Sequence, residues 1–124
     1  MLKSLLFWVA RQPVFHVLLR WGWRTMAWAI PLDRLHETET LWAFYHPAPS
    51  YPVHILIVPK QPYPNLMSLP VGETAFMQDV FITVQRLITE LKLEAQGYRL
   101  ICNGGTYQDV PLLHFHLISE FANS

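Results

Sequence analysis

The sequence predicts an α+β domain, an antiparallel sheet packed with one long helix, preceded by a helical N-terminal arm. Three observations predict it. One segment, about residues 73–93, repeats its apolar side chains at helical spacing. Four short runs with strand character flank it, two before and two after. Proline- and glycine-bearing turns punctuate the connections. An antiparallel sheet backed by one helix satisfies that order.

The elements follow in sequence. Gln12-Pro13 divides the arm into two expected helices, residues 2–11 and 14–24, because proline suits a helix's first turn. Pro31 closes that region, giving an arm over 1–29 and a domain over 30–124. LWAFY (41–45) reads as a strand, HPAPSYP as a turn, and the β-branched VHILIV (53–58) as a second strand. Residues 60–70 form a proline-punctuated loop. In the long helix Met77, Val80, Phe81, Val84, Leu87, Ile88 and Leu91 make one apolar stripe, with Gln78, Asp79, Gln85, Arg86 and Glu90 on the wet side. Gly97 is expected to stop it. YRLIC (98–102) is a strand, NGG a tight turn, and 111–119 the last strand. The chain has no internal repeat and no low-complexity tract.

Bulk properties narrow the function. A chain of 124 residues supports one compact domain. Net charge is zero, so nothing points to nucleic acid as a partner. Cys102 is the single cysteine, which rules out an internal disulfide and a cysteine-rich zinc site and fits a reducing compartment. Within a strand it reads as a small buried hydrophobe. At 52% hydrophobic and 15% charged, the chain is apolar enough to suggest contacts beyond its own core. The excess lies in the arm, where Lys3, Arg11, Arg20 and Arg24 are the only charges before Asp33 and four of the five tryptophans reside. No apolar run there is long enough to span a bilayer, and no small-residue cleavage site follows LLFWVA. Trp and Arg among aliphatics is the composition of a segment lying in a membrane interface. The expectation is peripheral association, on the cytoplasmic side, with a membrane or membrane-protein complex through residues 1–29. An amphipathic helix packed on the domain is the plain alternative. The acid-free start also resembles an organelle transit peptide, although serine is scarce.

The chemistry concentrates in VPLLHFHLI (110–118). Residues two apart on a strand share a face, so His114 and His116 project together while Phe115 points away. His54 on VHILIV could approach them, with His46 at the rim. An H-x-H pair plus a distant histidine could hold zinc. Alternatively, one neutral imidazole attacks phosphorus while its neighbours orient it and protonate the leaving group. NGGTYQ upstream offers backbone amides to an anion. His16 and His36 carry no assigned chemistry.

These residues carry a resemblance. YPVHILIVPKQ (51–61) and NGGTYQDVPLLHFHLI (103–118) resemble the two signature blocks of the histidine-triad (HIT) superfamily of nucleotide hydrolases and transferases. The likeness runs from about Ile30 to the C-terminus, with IPLDRLHETETLWAFYHP matching the family's opening strand. It implies the HIT-like fold, a nucleotide or other phosphorylated small molecule as ligand, no cofactor or metal, and a possible homodimer formed through the long helix and a sheet strand. By position it makes His114 the nucleophile of a covalent nucleotidyl intermediate, His116 the third triad histidine and His54 the histidine of the first block. Asn103 and Gln108 would flank the phosphate-binding turn that includes Gly104 and Gly105. His46 stands where the family carries an acidic residue for the ribose hydroxyls. Leu112 occupies the first triad position, Asp109 follows Gln108 where a small hydroxyl residue is common, and the Asn-to-Gln turn is shorter than usual. Two functions follow: a small phosphohydrolase or nucleotidyl transferase, or a catalytically weakened HIT-fold subunit docked through its arm. The retained histidines favour the first; Leu112, Asp109 and the apolar arm favour the second.

Overall fold

A computed structural model describes residues 34–121. The arm, with its two expected helices and its expected membrane contact, lies outside the described residues. Five strands, β1 (Arg34–Glu37), β2 (Leu41–Tyr45), β3 (Val53–Pro59), β4 (Arg99–Ile101) and β5 (Phe115–Ser119), surround one helix, α1 (Thr74–Glu90), which falls between β3 and β4. The strands form a single antiparallel sheet in the order β1-β2-β3-β5-β4, with α1 against one face. This is the α+β architecture that the sequence predicts.

Central position explains β3. All seven of its residues are buried, so its apolar run is unbroken rather than alternating. Period-two geometry then divides the run between the two faces. Val53, Ile55 and Ile57 join Leu41, Ala43, Leu117 and the helix residues Phe76, Val80, Val84 and Leu87 in the main core. His54, Leu56 and Val58 are left for the opposite face. Burying each large side chain of that core contributes about 1.5–3 kcal/mol.

Four local features differ from the sequence expectations. The strand β1 is absent from the residue-by-residue reading, because RLHE is a charged edge strand with no apolar alternation. The helix buries Phe76, Val80, Thr83, Val84 and Leu87, whereas Phe81 is 62% exposed. Phe81 lies about 100° around the axis from Val80, enough to take it off the stripe. The helix also ends before Gly97. Lys92 adopts φ 55, its N–H bonds the Thr89 carbonyl, and the Leu93 N–H bonds the Ile88 carbonyl. That is a Schellman closure with lysine in the left-handed position, locked because Leu93 beyond it is fully buried. Finally, β5 begins at Phe115, so His114 sits just before the strand.

Two contacts pin the remainder. Asp79 accepts hydrogen bonds from the Thr38 and Thr40 hydroxyls at 3.0 and 2.6 Å, fastening α1 to the β1–β2 turn. Cys102 is half-buried against the core, and burial pushes its thiol pKa up.

Candidate active site

The sheet face opposite α1 gathers four histidines. In the β3–β5 ladder His54 faces Ile118 and Leu56 faces His116, which sets His54 and His116 diagonally on one face. His46 follows β2 and is tied back by its own N–H to the His54 carbonyl at 2.8 Å. His114 is placed by its neighbour, since Leu113 is buried in the helix-side core and donates its N–H to the Tyr63 carbonyl at 2.7 Å. The next side chain must therefore emerge on the opposite face.

The rings form a contiguous row. His46 stacks on His54 at 4.2 Å between centroids, His54 lies 5.2 Å from His116, and His116 meets His114 edge-on at 4.9 Å. Backbone groups fix which nitrogens carry protons. The Ser50 amide donates to His54 Nδ1 at 3.1 Å, so the neutral ring bears its proton on Nε2. That Nε2–H donates to His116 Nδ1 at 2.9 Å, which leaves His116 with an Nε2–H of its own. His46 Nδ1 accepts the Ala48 amide at 2.9 Å, placing its proton on Nε2 as well. His114 is the reverse case. A carbonyl only accepts, so His114 Nδ1–H donates to the Leu112 carbonyl at 2.7 Å and its Nε2 holds a lone pair.

Electrostatics keep the row uncharged at neutral pH. Burial, reinforced by His54, His116 and His114, pushes the His46 pKa down to about 4. Burial and the rings of His114 and His54 push His116 down to about 4, against a smaller opposing pull from the Asp109 carboxylate. Burial lowers His54. It lowers His114 too, where the Leu112 carbonyl and Asp109 partly offset it. The same nitrogen bookkeeping disfavours metal ligation: His54 Nε2 and His116 Nδ1 face one another, and backbone amides occupy the Nδ1 atoms of His46 and His54. Among the described residues no group of three or more His, Cys, Asp or Glu is arranged to hold a metal ion.

The turn residues behave differently from one another. Gly104 is extended, and Gly105 opens a short 3-10 turn (Gly105–Tyr107) at φ 59, a backbone setting that favours glycine. Asn103 is half-buried beyond β4. Gln108 spends both side-chain N–H groups on backbone, donating to the Pro64 carbonyl at 2.8 Å and the Val110 carbonyl at 3.0 Å. It thus clasps the turn to the loop after β3. Leu112 is buried, 8% exposed, and enters the site through its carbonyl. His36 is taken up by Arg86, whose Nη1 donates to His36 Nε2 at 3.2 Å.

Sequence reasoning missed the groups that set the tautomers. The amides of Ser50 and Ala48 and the carbonyl of Leu112 are main-chain atoms, invisible in residue identity. The proline-dense HPAPSYP turn was their one signal, as a stretch with fixed backbone beside His46 and His54.

A small antiparallel sheet with one helix, carrying a histidine row that leads to a lone-pair imidazole, defines a class, and comparison with known proteins names it. The HIT domain model matches residues 29–123. The chain belongs to the HIT family. It is 37% identical over 91 residues to an uncharacterized HIT-like protein of Synechococcus elongatus, covering 72% of this chain and 79% of that one. It is 33% identical over 99 residues to an adenosine 5'-monophosphoramidase of Candida albicans, covering 73% of this chain and 63% of the relative. Its fold superposes on a histidine triad protein from Clostridium difficile with TM-score 0.72 at 28% identity, covering 82% of this chain and 91% of that one.

Proposed function

We propose that this protein is a HIT-type nucleotide phosphohydrolase or nucleotidyl transferase acting through a covalent intermediate on His114. The observation that carries the reading is the His114 Nδ1–H to Leu112 carbonyl bond, which aims the Nε2 lone pair as a nucleophile. Nε2 bonds to the α-phosphorus as the bond to the leaving group breaks. The leaving group departs with that electron pair and takes its proton from solvent. The ring becomes cationic on bonding phosphorus. The Leu112 carbonyl and the Asp109 carboxylate, which both favour positive charge on His114, offset that development. The Nε2–H of His116 donates to a phosphoryl oxygen. Water then attacks phosphorus as the P–Nε2 bond breaks, the electron pair returns to Nε2 and leaves the ring neutral, and the water's proton passes to solvent; an acceptor hydroxyl in place of water makes the same chemistry a transfer. Similarity to a Candida albicans adenosine 5'-monophosphoramidase supports a nucleoside phosphoramidate as the first substrate to test.

The experiment is hydrolysis of adenosine 5'-monophosphoramidate by the full chain and by His114→Ala. The expected result is turnover that falls by roughly a thousandfold or more in the variant. Equal turnover by both would overturn the reading. A second reading, a HIT-fold accessory subunit with a vestigial site, draws on buried Leu112 at the first triad position. It requires that the wild-type chain leave the phosphoramidate unhydrolysed and fractionate with membranes.

A further inference from the structure

The bond that aims His114 runs from its Nδ1–H to the Leu112 carbonyl at 2.7 Å. Leucine offers the ring no polar side-chain atom, so the aim is only as firm as the peptide that carries the carbonyl. Two consecutive peptide planes are fixed here. The first lies between Pro111 and Leu112. The Leu112 N–H donates to the Val110 carbonyl at 2.8 Å, an i to i+2 bond that closes Val110-Pro111-Leu112 as an inverse γ-turn. Such a turn needs a central φ of about −75°, and the proline ring holds φ at about −65°. Proline also confines the residue before it, Val110, to extended backbone. The Val110 carbonyl accepts a second bond, from Gln108 Nε2 at 3.0 Å, which holds the start of the turn. The Pro111 side chain is exposed, so its contribution is conformational and not one of packing.

The second plane lies between Leu112 and Leu113. Its N–H donates to the Tyr63 carbonyl at 2.7 Å. No peptide bond among the described residues is cis, so the N–H and the Leu112 carbonyl of this one unit point in opposite directions. Fastening the N–H to the loop after β3 therefore turns the carbonyl toward His114. An engaged N–H also makes the oxygen of the same amide a better acceptor, because hydrogen bonds in a chain polarise one another. The Tyr63 carbonyl, the Leu112–Leu113 peptide and the His114 imidazole form such a chain, and it ends on the Nε2 lone pair. Tyr63 is held in its turn. Its ring centroid lies 6.5 Å from that of Phe76, and its hydroxyl bonds the Glu73 carboxylate.

We propose that Pro111 and Tyr63 are positioning residues for His114: Pro111 through the γ-turn, and Tyr63 through its carbonyl, hold the Leu112–Leu113 peptide so that it orients the imidazole. The effect on rate rests on the reading of His114 as the nucleophile; the effect on the ring's proton does not. In this arrangement the main chain does the orienting, and Leu112 needs no polar side chain to serve the site. A leucine at 112 is then compatible with a working nucleophile and is not by itself the mark of a vestigial one.

Two full-length variants test it. Pro111→Ala frees the turn. An ester in place of the Leu112–Leu113 amide removes the N–H that Tyr63 accepts; it is made by joining residues 1–101 to a synthetic 102–124 at Cys102, the single cysteine. The all-amide chain joined in the same way is the control. Nitrogen–proton correlation spectra read the His114 proton directly. The unaltered chain should hold it on Nδ1, and both variants should show a several-fold larger share on Nε2. With adenosine 5'-monophosphoramidate, kcat should fall roughly 3- to 10-fold in Pro111→Ala and roughly tenfold or more in the ester, with KM within about twofold. A His114 that keeps its Nδ1–H in either variant overturns the proposal, even where the rate falls. So does an unaltered chain protonated on Nε2. Loss of the folded amide spectrum in Pro111→Ala overturns it too, since the proline would then serve the fold and not the ring. Should no form of the chain hydrolyse the phosphoramidate, the hydrolytic reading fails and the tautomer alone decides the positioning.

Discussion

Replacing His54 with Phe tests the tautomer relay. Phe keeps a ring to stack on His46, where the centroid separation is now 4.2 Å, and removes both ring nitrogens. The Ser50 amide lies in an exposed turn, so water can take the place of His54 Nδ1 there. His116 Nδ1 loses the 2.9 Å donor that holds the His116 proton on Nε2. A lost neutral hydrogen bond plus a part-buried nitrogen left without a partner costs about 1–3 kcal/mol. Felt in the transition state, that is roughly a 5- to 150-fold loss of kcat. Single-turnover hydrolysis of adenosine 5'-monophosphoramidate should show kcat falling with KM little changed, because His54 acts through His116 rather than on the substrate. Nitrogen–proton correlation spectra of the imidazoles should show His116 shifting away from its fixed Nε2–H form. His54→Gln, which returns an N–H near the position of Nε2, should recover much of the rate. An unchanged kcat in His54→Phe together with an unchanged His116 tautomer would refute the relay.

Other outcomes follow from the same geometry. The folded pKa values of His46 and His116, about 4, lie below the unfolded value of 6.5, so the unfolded chain binds more protons between them. Stability should be complete above pH 6.5 and be lost as pH falls from there through about 4, with a limiting slope of about 1.4 kcal/mol per pH unit for each ring. Urea titrations at stepped pH read it, and a flat profile across that window counts against buried neutral rings. Lys92→Gly should stabilise the protein by about 0.5–1 kcal/mol, because lysine holds φ 55, and should raise Tm by a few degrees. Gln108→Ala removes two hydrogen bonds, one across to the loop after β3 and one within its own segment, and should cost about 1–3 kcal/mol. Amide exchange at Leu113 should speed up with it, since that N–H bonds the Tyr63 carbonyl in the same clasp.

The sequence was most legible where one signal dominated. LWAFY and the β-branched VHILIV became β2 and β3 because central strands need apolar, branched residues on both faces. The edge strand RLHE gave no such signal, as its stability comes from pairing with β2 rather than from its own side chains. Helical periodicity located α1 but misjudged Phe81, since a stripe drawn from hydrophobicity alone admits residues just off the buried arc. Gly97 looked like the stop, yet burial of Leu93 forces the reversal earlier and makes Lys92 adopt the left-handed turn; that constraint is tertiary. In the site, period two paired His114 with His116 and strand character brought in His54. The sequence puts His46 at the rim, and the loop after β2 folds it into the row at 7% exposure. The atoms that decide each ring's proton are main-chain atoms of Ser50, Ala48 and Leu112, and no side-chain pattern reports them.

The clasp between the two loops has a mechanical consequence. With Gln108 bonded to the Pro64 carbonyl and Leu113 to the Tyr63 carbonyl, the segment after β3 and the segment before β5 are riveted at two points on either side of Asp109. While both bonds hold, neither segment can move outward without the other. A length change in one loop strains the other, and the Tyr63 carbonyl, through its bond to the Leu113 N–H, sets where the adjoining His114 stands.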